Sequence, residues 1–130
     1  MHRILIVDDS ATIRKMVRRS LEGLEDSMFF EAANGLEAIE QLAVCGVRLI
    51  VLDLNMPDMH GLDVLKFVRR QPQYQQLPIV VLSTRGDELS RERASQAGAT
   101  TYLTKPFTPG VLAATVQTLL GDDTQIAPPN

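Results

Sequence analysis

The chain has a single cysteine, Cys45, and no tryptophan. One cysteine leaves no intramolecular disulfide and points to a reducing compartment. No apolar run approaches the roughly 20 residues of a membrane span. The opening Met-His-Arg leads straight into a strand pattern, with no room for a signal peptide. A cytoplasmic location, with no membrane contact, is the expectation. Positive charge is not in excess either. Thirteen Lys and Arg stand against sixteen Asp and Glu, for a formal charge of −3. A nucleic-acid binder needs a strongly basic face, so no direct nucleic-acid partner is expected. There is no Gly-x-x-x-x-Gly-Lys and no glycine-rich loop after the first strand, which argues against a nucleotide or flavin binder. Neither His2 nor His60 has partners at metal-ligand spacing.

What is present is a strand–helix alternation repeated five times in 130 residues. That length suits one domain with one core. The strands are read at about Arg3–Asp8, Met28–Ala32, Leu49–Asp53, Ile79–Ser83 and Thr101–Thr104. Short apolar runs bounded by turn residues read as buried parallel strands. Ser10 is a good N-cap for the first helix, with Ile13, Met16, Val17, Leu21 and Leu24 on its inner face. Asn34 with Glu37 forms a capping box for the second, whose inner residues are read as Leu36, Ile39, Leu42 and Ala43. The third helix is read at Leu62–Arg70, after a turn-rich loop that runs from Asn55 to Gly61 through Pro57, Asp58 and Met59. The fourth runs from near Asp87 to Gly98. The fifth has Thr108 as N-cap and Pro109 first, and runs to about Leu120. Such alternation predicts an α/β doubly wound sandwich with helices on both faces. Residues 1–121 are read as the domain. Residues 122–130, with Pro128-Pro129, are read as a flexible tail or the start of a linker.

The polar residues that close the strands share one purpose. Asp8 and Asp9, Asp53, Ser83 and Lys105 each stand at the end of an apolar run. In an open α/β sheet the functional crevice lies outside the carboxyl ends of the strands. Three carboxylates, a hydroxyl and an ammonium group gathered there can hold Mg²⁺ and a phosphoryl group.

The pieces Val7-Asp8-Asp9-Ser10, Asp53-Leu-Asn-Met-Pro-Asp58 with Gly61, Leu82-Ser83 and Tyr102-Leu-Thr-Lys105-Pro106-Phe107 carry a resemblance. Ser83 lies 30 residues after Asp53, and Lys105 lies 52 after it. In this order and at these spacings the chain resembles a receiver domain of two-component response regulators, of the CheY-like single-domain type. The resemblance covers about residues 3–120. It implies a flavodoxin-like (βα)5 fold with strand order 2-1-3-4-5. It also implies that Asp53 accepts a phosphoryl group from a histidine kinase or phosphotransfer protein, giving an aspartyl phosphate. Asp9 and Asp53 would bind Mg²⁺ or Mn²⁺ directly, Asp8 through water, and Asn55 by its backbone carbonyl. Lys105 would pair with Asp53 and then with the phosphoryl oxygens, across a cis bond to Pro106. Ser83 and Tyr102 would be the switch pair.

The resemblance further implies an output face on the fourth helix, fifth strand and fifth helix, with Arg91, Ser95, Tyr102, Phe107 and Val111 on it. Its partner would be a downstream effector, in chemotaxis or elsewhere, and a phosphatase is a further candidate. The basic first helix, with Arg14, Lys15, Arg18 and Arg19, is read as a docking face for the kinase or as a solvated surface. On this reading the chain is a phosphoacceptor and not a turnover enzyme.

Two residues depart from the common pattern. Thr84 stands where the family usually has a small residue, and is expected to narrow access to the phosphoryl site. Arg85, with Asn55, occupies positions that tune self-dephosphorylation in the family. Two alternatives remain. One is a phosphorylation-independent interaction module. The other is a Mg²⁺-dependent aspartyl-phosphate phosphatase, disfavoured because such enzymes carry Asp-x-Asp on the first strand.

Overall fold

A computed structural model describes residues 1–56 and 60–124. Five strands, β1 (His2–Val7), β2 (Ser27–Ala32), β3 (Leu49–Asp53), β4 (Ile79–Ser83) and β5 (Thr101–Thr104), alternate with five helices. The helices are α1 (Ala11–Leu21), α2 (Gly35–Cys45), α3 (Gly61–Arg70), α4 (Glu88–Ala97) and α5 (Pro109–Thr124). All strands pair in parallel in the order β2-β1-β3-β4-β5. This is the expected doubly wound sandwich.

Side chains along each strand alternate between two cores. Leu5, Val7, Ile50, Leu52, Ile79 and Val81 pack against Ala38 and Leu42 of α2 and Val64, Leu65 and Val68 of α3. Ile4, Ile6, Leu49, Val51, Val80 and Leu82 pack against Val17 and Leu21 of α1 and Leu112, Val116 and Leu120 of α5. Strands β3 and β4 are buried along their whole length. That explains why their sequences are apolar until the final Asp53 and Ser83.

The caps follow the sequence closely. Ser10 accepts from the Ile13 N–H, Asn34 from Glu37 and Asp87 from Ser90. Glu37 reaches back to the Ala33 N–H and holds the end of β2. Gly46 and Gly98 end α2 and α4 in the left-handed region, where other residues carry a steric penalty.

Several expectations need correction. Met16 is exposed on α1, because the buried line runs through Val17 and Leu21. On α2 the buried residues are Gly35, Ala38 and Leu42, while Leu36 and Ala43 face outward. Small residues on the inner face let α2 lie close to the sheet. Its outer face carries Leu36 and Val44 beside Glu37 and Glu40, so apolar content alone could not fix its rotation. Met56 does lie in the loop after β3, as read, with its side chain buried in the core. Gly61 is needed for a close approach. A Cβ there would collide with the Asp53 carbonyl and with Leu54. A short 3₁₀ turn, Pro72–Tyr74, stands in the connection to β4. Helix α5 continues to Thr124, past the expected end at Leu120. Pro57, Asp58 and Met59 of the loop, and residues 125–130 of the expected tail, lie outside the described residues.

Candidate functional site

Parallel register brings the strand ends together. Asp53 of β3 pairs with Leu82 of β4, so Ser83 lies one residue further along the same edge. Ser83 pairs with Thr104, so Lys105 follows directly beyond it. Val7 pairs with Leu52, which sets Asp8 level with Asp53. The backbone continues this alignment past the sheet. The Lys105 N–H donates to the Ser83 carbonyl, and the peptide from Lys105 to Pro106 is cis.

The Lys105 Nζ donates to Asp53 Oδ1 at 3.0 Å and to Asp8 Oδ2 at 3.1 Å. Both carboxylates are almost fully buried, at 1% and 2% exposure. Each is also held by its own chain. Asp8 Oδ1 accepts from the Ser10 N–H, and Asp53 Oδ1 accepts from the Asn55 N–H. Asp9 is exposed, yet ligand oxygens of Asp8, Asp9 and Asp53 all lie within 4.8 Å of one another. Among the described residues this is the one cluster of three or more such groups able to hold a metal ion.

The electrostatics follow from that crowding. Burial raises the Asp8 pKa above its ordinary value. The Ser10 N–H opposes this, the neighbouring Asp53 charge adds to it, and Lys105 opposes it. Burial alone would lower the Lys105 pKa, but hydrogen bonds and charge from Asp53 and Asp8 outweigh it and hold the amine above its ordinary value. Lys105 is therefore cationic at neutral pH. One cation against three carboxylates leaves the cluster net negative. A divalent cation fits the oxygen donors and the charge deficit.

The remaining expected residues take up a second tier. Ser83 is buried, and its Oγ accepts from the Arg85 N–H. Asn55 Nδ2 donates to Thr84 Oγ1 at 3.1 Å, joining the loops after β3 and β4. The Arg85 guanidinium pairs with Asp87 at 3.2 Å. Among the described residues it makes no hydrogen bond or ion pair with Asp8, Asp9 or Asp53. Tyr102 is half-buried. Its hydroxyl donates to the Arg85 carbonyl, and the Arg91 guanidinium lies 4.9 Å from its ring centre. Tyr102 is thereby tied to the loop that follows Ser83.

One positioning residue escaped the sequence reading. Arg14 donates to the Asp8 carbonyl at 2.6 Å and to Glu31 at 2.8 Å. It fixes the turn that presents Asp8 and Asp9. The only signal for this was the spacing of Arg14 and Arg18 on one helix face, with Glu31 meeting both.

Comparison with known proteins decides the family. Residues 4–117 match the response regulator receiver domain family. The chain belongs to that family. This receiver domain is 38% identical to the chemotaxis protein CheY1 of Helicobacter pylori, over 92% of this chain and 97% of that one. The solved structure of the Vibrio cholerae chemotaxis response regulator CheY4 is 37% identical, with a TM-score of 0.84, over 92% of this chain and 98% of that one. The Mn²⁺-bound form of response regulator Rcp1 is 29% identical, with a TM-score of 0.77, over 92% of this chain and 91% of that one. Membership supports phosphorylation-dependent two-component signalling as the class of function. Among the described residues, no helix of this receiver domain is long and apolar enough to cross a membrane.

Proposed function

We propose that this receiver domain takes a phosphoryl group from a phosphohistidine onto Asp53 and acts as a signalling switch. The observation that carries the reading is the Lys105 amine shared between Asp53 and Asp8, with the Asp9 oxygen in the same cluster. A carboxylate oxygen of Asp53 attacks phosphorus. A P–O bond forms, the P–N bond to the donor imidazole breaks, and the imidazole leaves with its electron pair. Lys105 then shifts from the carboxylate to the transferred phosphoryl oxygens, where a compact ammonium offsets their charge. Asp8, Asp9, Asp53 and the Asn55 backbone carbonyl would hold Mg²⁺ or Mn²⁺. When bound, the cation supplies charge neutralisation to an otherwise overly negative site.

The readout starts at Ser83. Its hydroxyl leaves the Arg85 N–H and hydrogen-bonds the phosphoryl group. That releases the loop whose Arg85 carbonyl holds Tyr102, and the surface of α4, β5 and α5 changes. A charge event thus biases a two-state element. Arg91, Ser95, Tyr102, Phe107 and Val111 are the proposed contacts for an effector. Likeness to chemotaxis proteins favours a motility partner for that face. The donor is a sensor histidine kinase or phosphotransfer protein, a separate phosphatase is a further candidate partner, and the setting is cytoplasmic. Asn55, Thr84 and Arg85 set the rates. The chain contributes groups to its own phosphorylation and slow dephosphorylation, and turns over no other substrate.

The decisive experiment is phosphorylation of wild type and Asp53→Asn with phosphoramidate and with a histidine-kinase donor, with and without Mg²⁺. Mass spectrometry is expected to find a base-labile adduct that needs Mg²⁺ and is lost in Asp53→Asn. An adduct that persists in Asp53→Asn would move the acceptor elsewhere. No adduct from either donor would favour a phosphorylation-independent interaction module.

A further inference from the structure

The groove between α3 and α4 contains none of the proposed phosphoryl-site, switch or output residues. Its volume is about 450 Å³, and four cations line it: Lys66, Arg69 and Arg70 on α3 and Arg93 on α4. Half-buried Leu62 and Ala97 add an apolar floor, and among the described residues no carboxylate is in the lining. This is a local inversion of a chain whose formal charge is −3.

Four cations elsewhere in the fold meet carboxylates. Arg14 and Arg18 meet Glu31, Arg85 meets Asp87, and Lys105 meets Asp8 and Asp53. In the groove, Lys66, Arg70 and Arg93 make no ion pair or hydrogen bond among the described residues. Arg69 differs. It donates to the Gly98 carbonyl, the Tyr74 carbonyl and the Thr100 hydroxyl, locking the C-terminal ends of α3 and α4 together. Gly98 permits this, because a Cβ there would collide with the Arg69 side chain. The groove wall is therefore held in place, while three cations beside it have no counter-charge within ion-pair distance among the described residues. An anionic ligand supplies one.

The lining selects among anions. A long nucleic acid would be repelled by the net negative chain. A nucleotide base would find no aromatic ring in the lining to stack on. Guanidinium forks match carboxylates bidentately, and Leu62 with Ala97 can take an aliphatic side chain. We propose that this groove binds a short acidic peptide segment of a partner protein, with its carboxylates on Lys66, Arg70 and Arg93.

The test uses the full chain, unphosphorylated, so its outcome is independent of the chemistry at Asp53. A fluorescein-labelled peptide of alternating Glu and Leu is titrated by fluorescence anisotropy, beside a Gln and Leu counterpart. Saturable binding of the Glu peptide is expected, weakening with salt and lost in the Gln peptide. Arg93→Glu and Arg70→Glu should each weaken it about tenfold or more. The double change Gln75→Glu and Gln76→Glu, the same net charge change on the exposed connection to β4, should leave it unchanged. All the substituted residues are exposed, and thermal melts check that each variant is folded. Equal weakening by all three variants would reduce the effect to net charge and overturn the site. So would absence of saturable binding, or stronger competition by inorganic pyrophosphate or duplex DNA than by unlabelled peptide.

Discussion

Among the described residues, Asn55 and Thr84 form the one side-chain hydrogen bond between the loops after β3 and β4. Asp53, which precedes one loop, is 1% exposed, so a donor must pass these loops. An exposed hydrogen bond of this kind contributes about 1 kcal/mol net, or about fivefold in rate if it must open first. Thr84→Ala is therefore expected to take phosphate from acetyl phosphate about fivefold faster than wild type. Thr84→Val keeps the branched shape and loses the acceptor, so it separates bulk from bonding. A wild-type rate in both variants would remove Thr84 from the rate-setting group. Arg85 is held by Asp87 in this structure. A role in tuning requires that it leave that pair, and Arg85→Ala should then alter the half-life of the phosphorylated form. An identical half-life would leave Arg85 as a loop residue only. At this scale the sequence was informative wherever a polar residue ended an apolar run, as at Asp8, Asp53 and Ser83. It placed Arg14 on a docking or solvated face and missed its pairing with Glu31 and the Asp8 carbonyl, which exists only once α1 lies beside β2.

Between elements, that same contact makes a pH-dependent tie. The hydrogen bond from Arg14 is the largest influence on Glu31, and burial opposes it. Arg18 adds a further bond, and the carboxyl is held below its ordinary value of 4.5. The folded chain thus binds the Glu31 proton more weakly than the unfolded chain does. The resulting stabilisation is complete above the unfolded value and is lost as pH falls through the lower folded value. The group is one-third exposed, so the pair contributes only about 1 kcal/mol. Glu31→Gln should lose about that much at pH 7 and show a flatter decline below pH 4.5. Denaturant titrations across pH check both. A decline as steep as wild type would assign the acid limb to other carboxylates. The elements themselves were legible where burial is two-sided. Strands β3 and β4, buried along their whole length, begin and end where the apolar runs do. Helix α2 was harder, because Leu36 and Val44 sit on its exposed face and blur the 3.6-residue pattern.

For the molecule as a whole, the site opposes the fold that builds it. Three carboxylates crowd one sheet edge around a single amine, and the Asp53 charge helps raise the Asp8 pKa. Without a cation, removing one carboxylate should stabilise the chain. With a cation, it should remove a ligand. Asp9→Asn is the variant of choice, because Asp9 is exposed and is not buried in the network of Lys105. A ligand bound only by the folded state adds about 2.7 kcal/mol at a hundredfold excess over its Kd. Each kcal/mol moves the Tm of a domain this size by roughly 3–6 °C. Wild type should therefore melt several degrees higher with saturating Mg²⁺ than with EDTA. Asp9→Asn should melt above wild type in EDTA and respond little to Mg²⁺, so that the order of the two proteins reverses when the cation is added. A Mg²⁺ response of wild-type size in Asp9→Asn would take Asp9 out of the proposed ligand set. A lower Tm than wild type in EDTA would mean that the exposed carboxylate caps or bonds its loop more than it repels its neighbours.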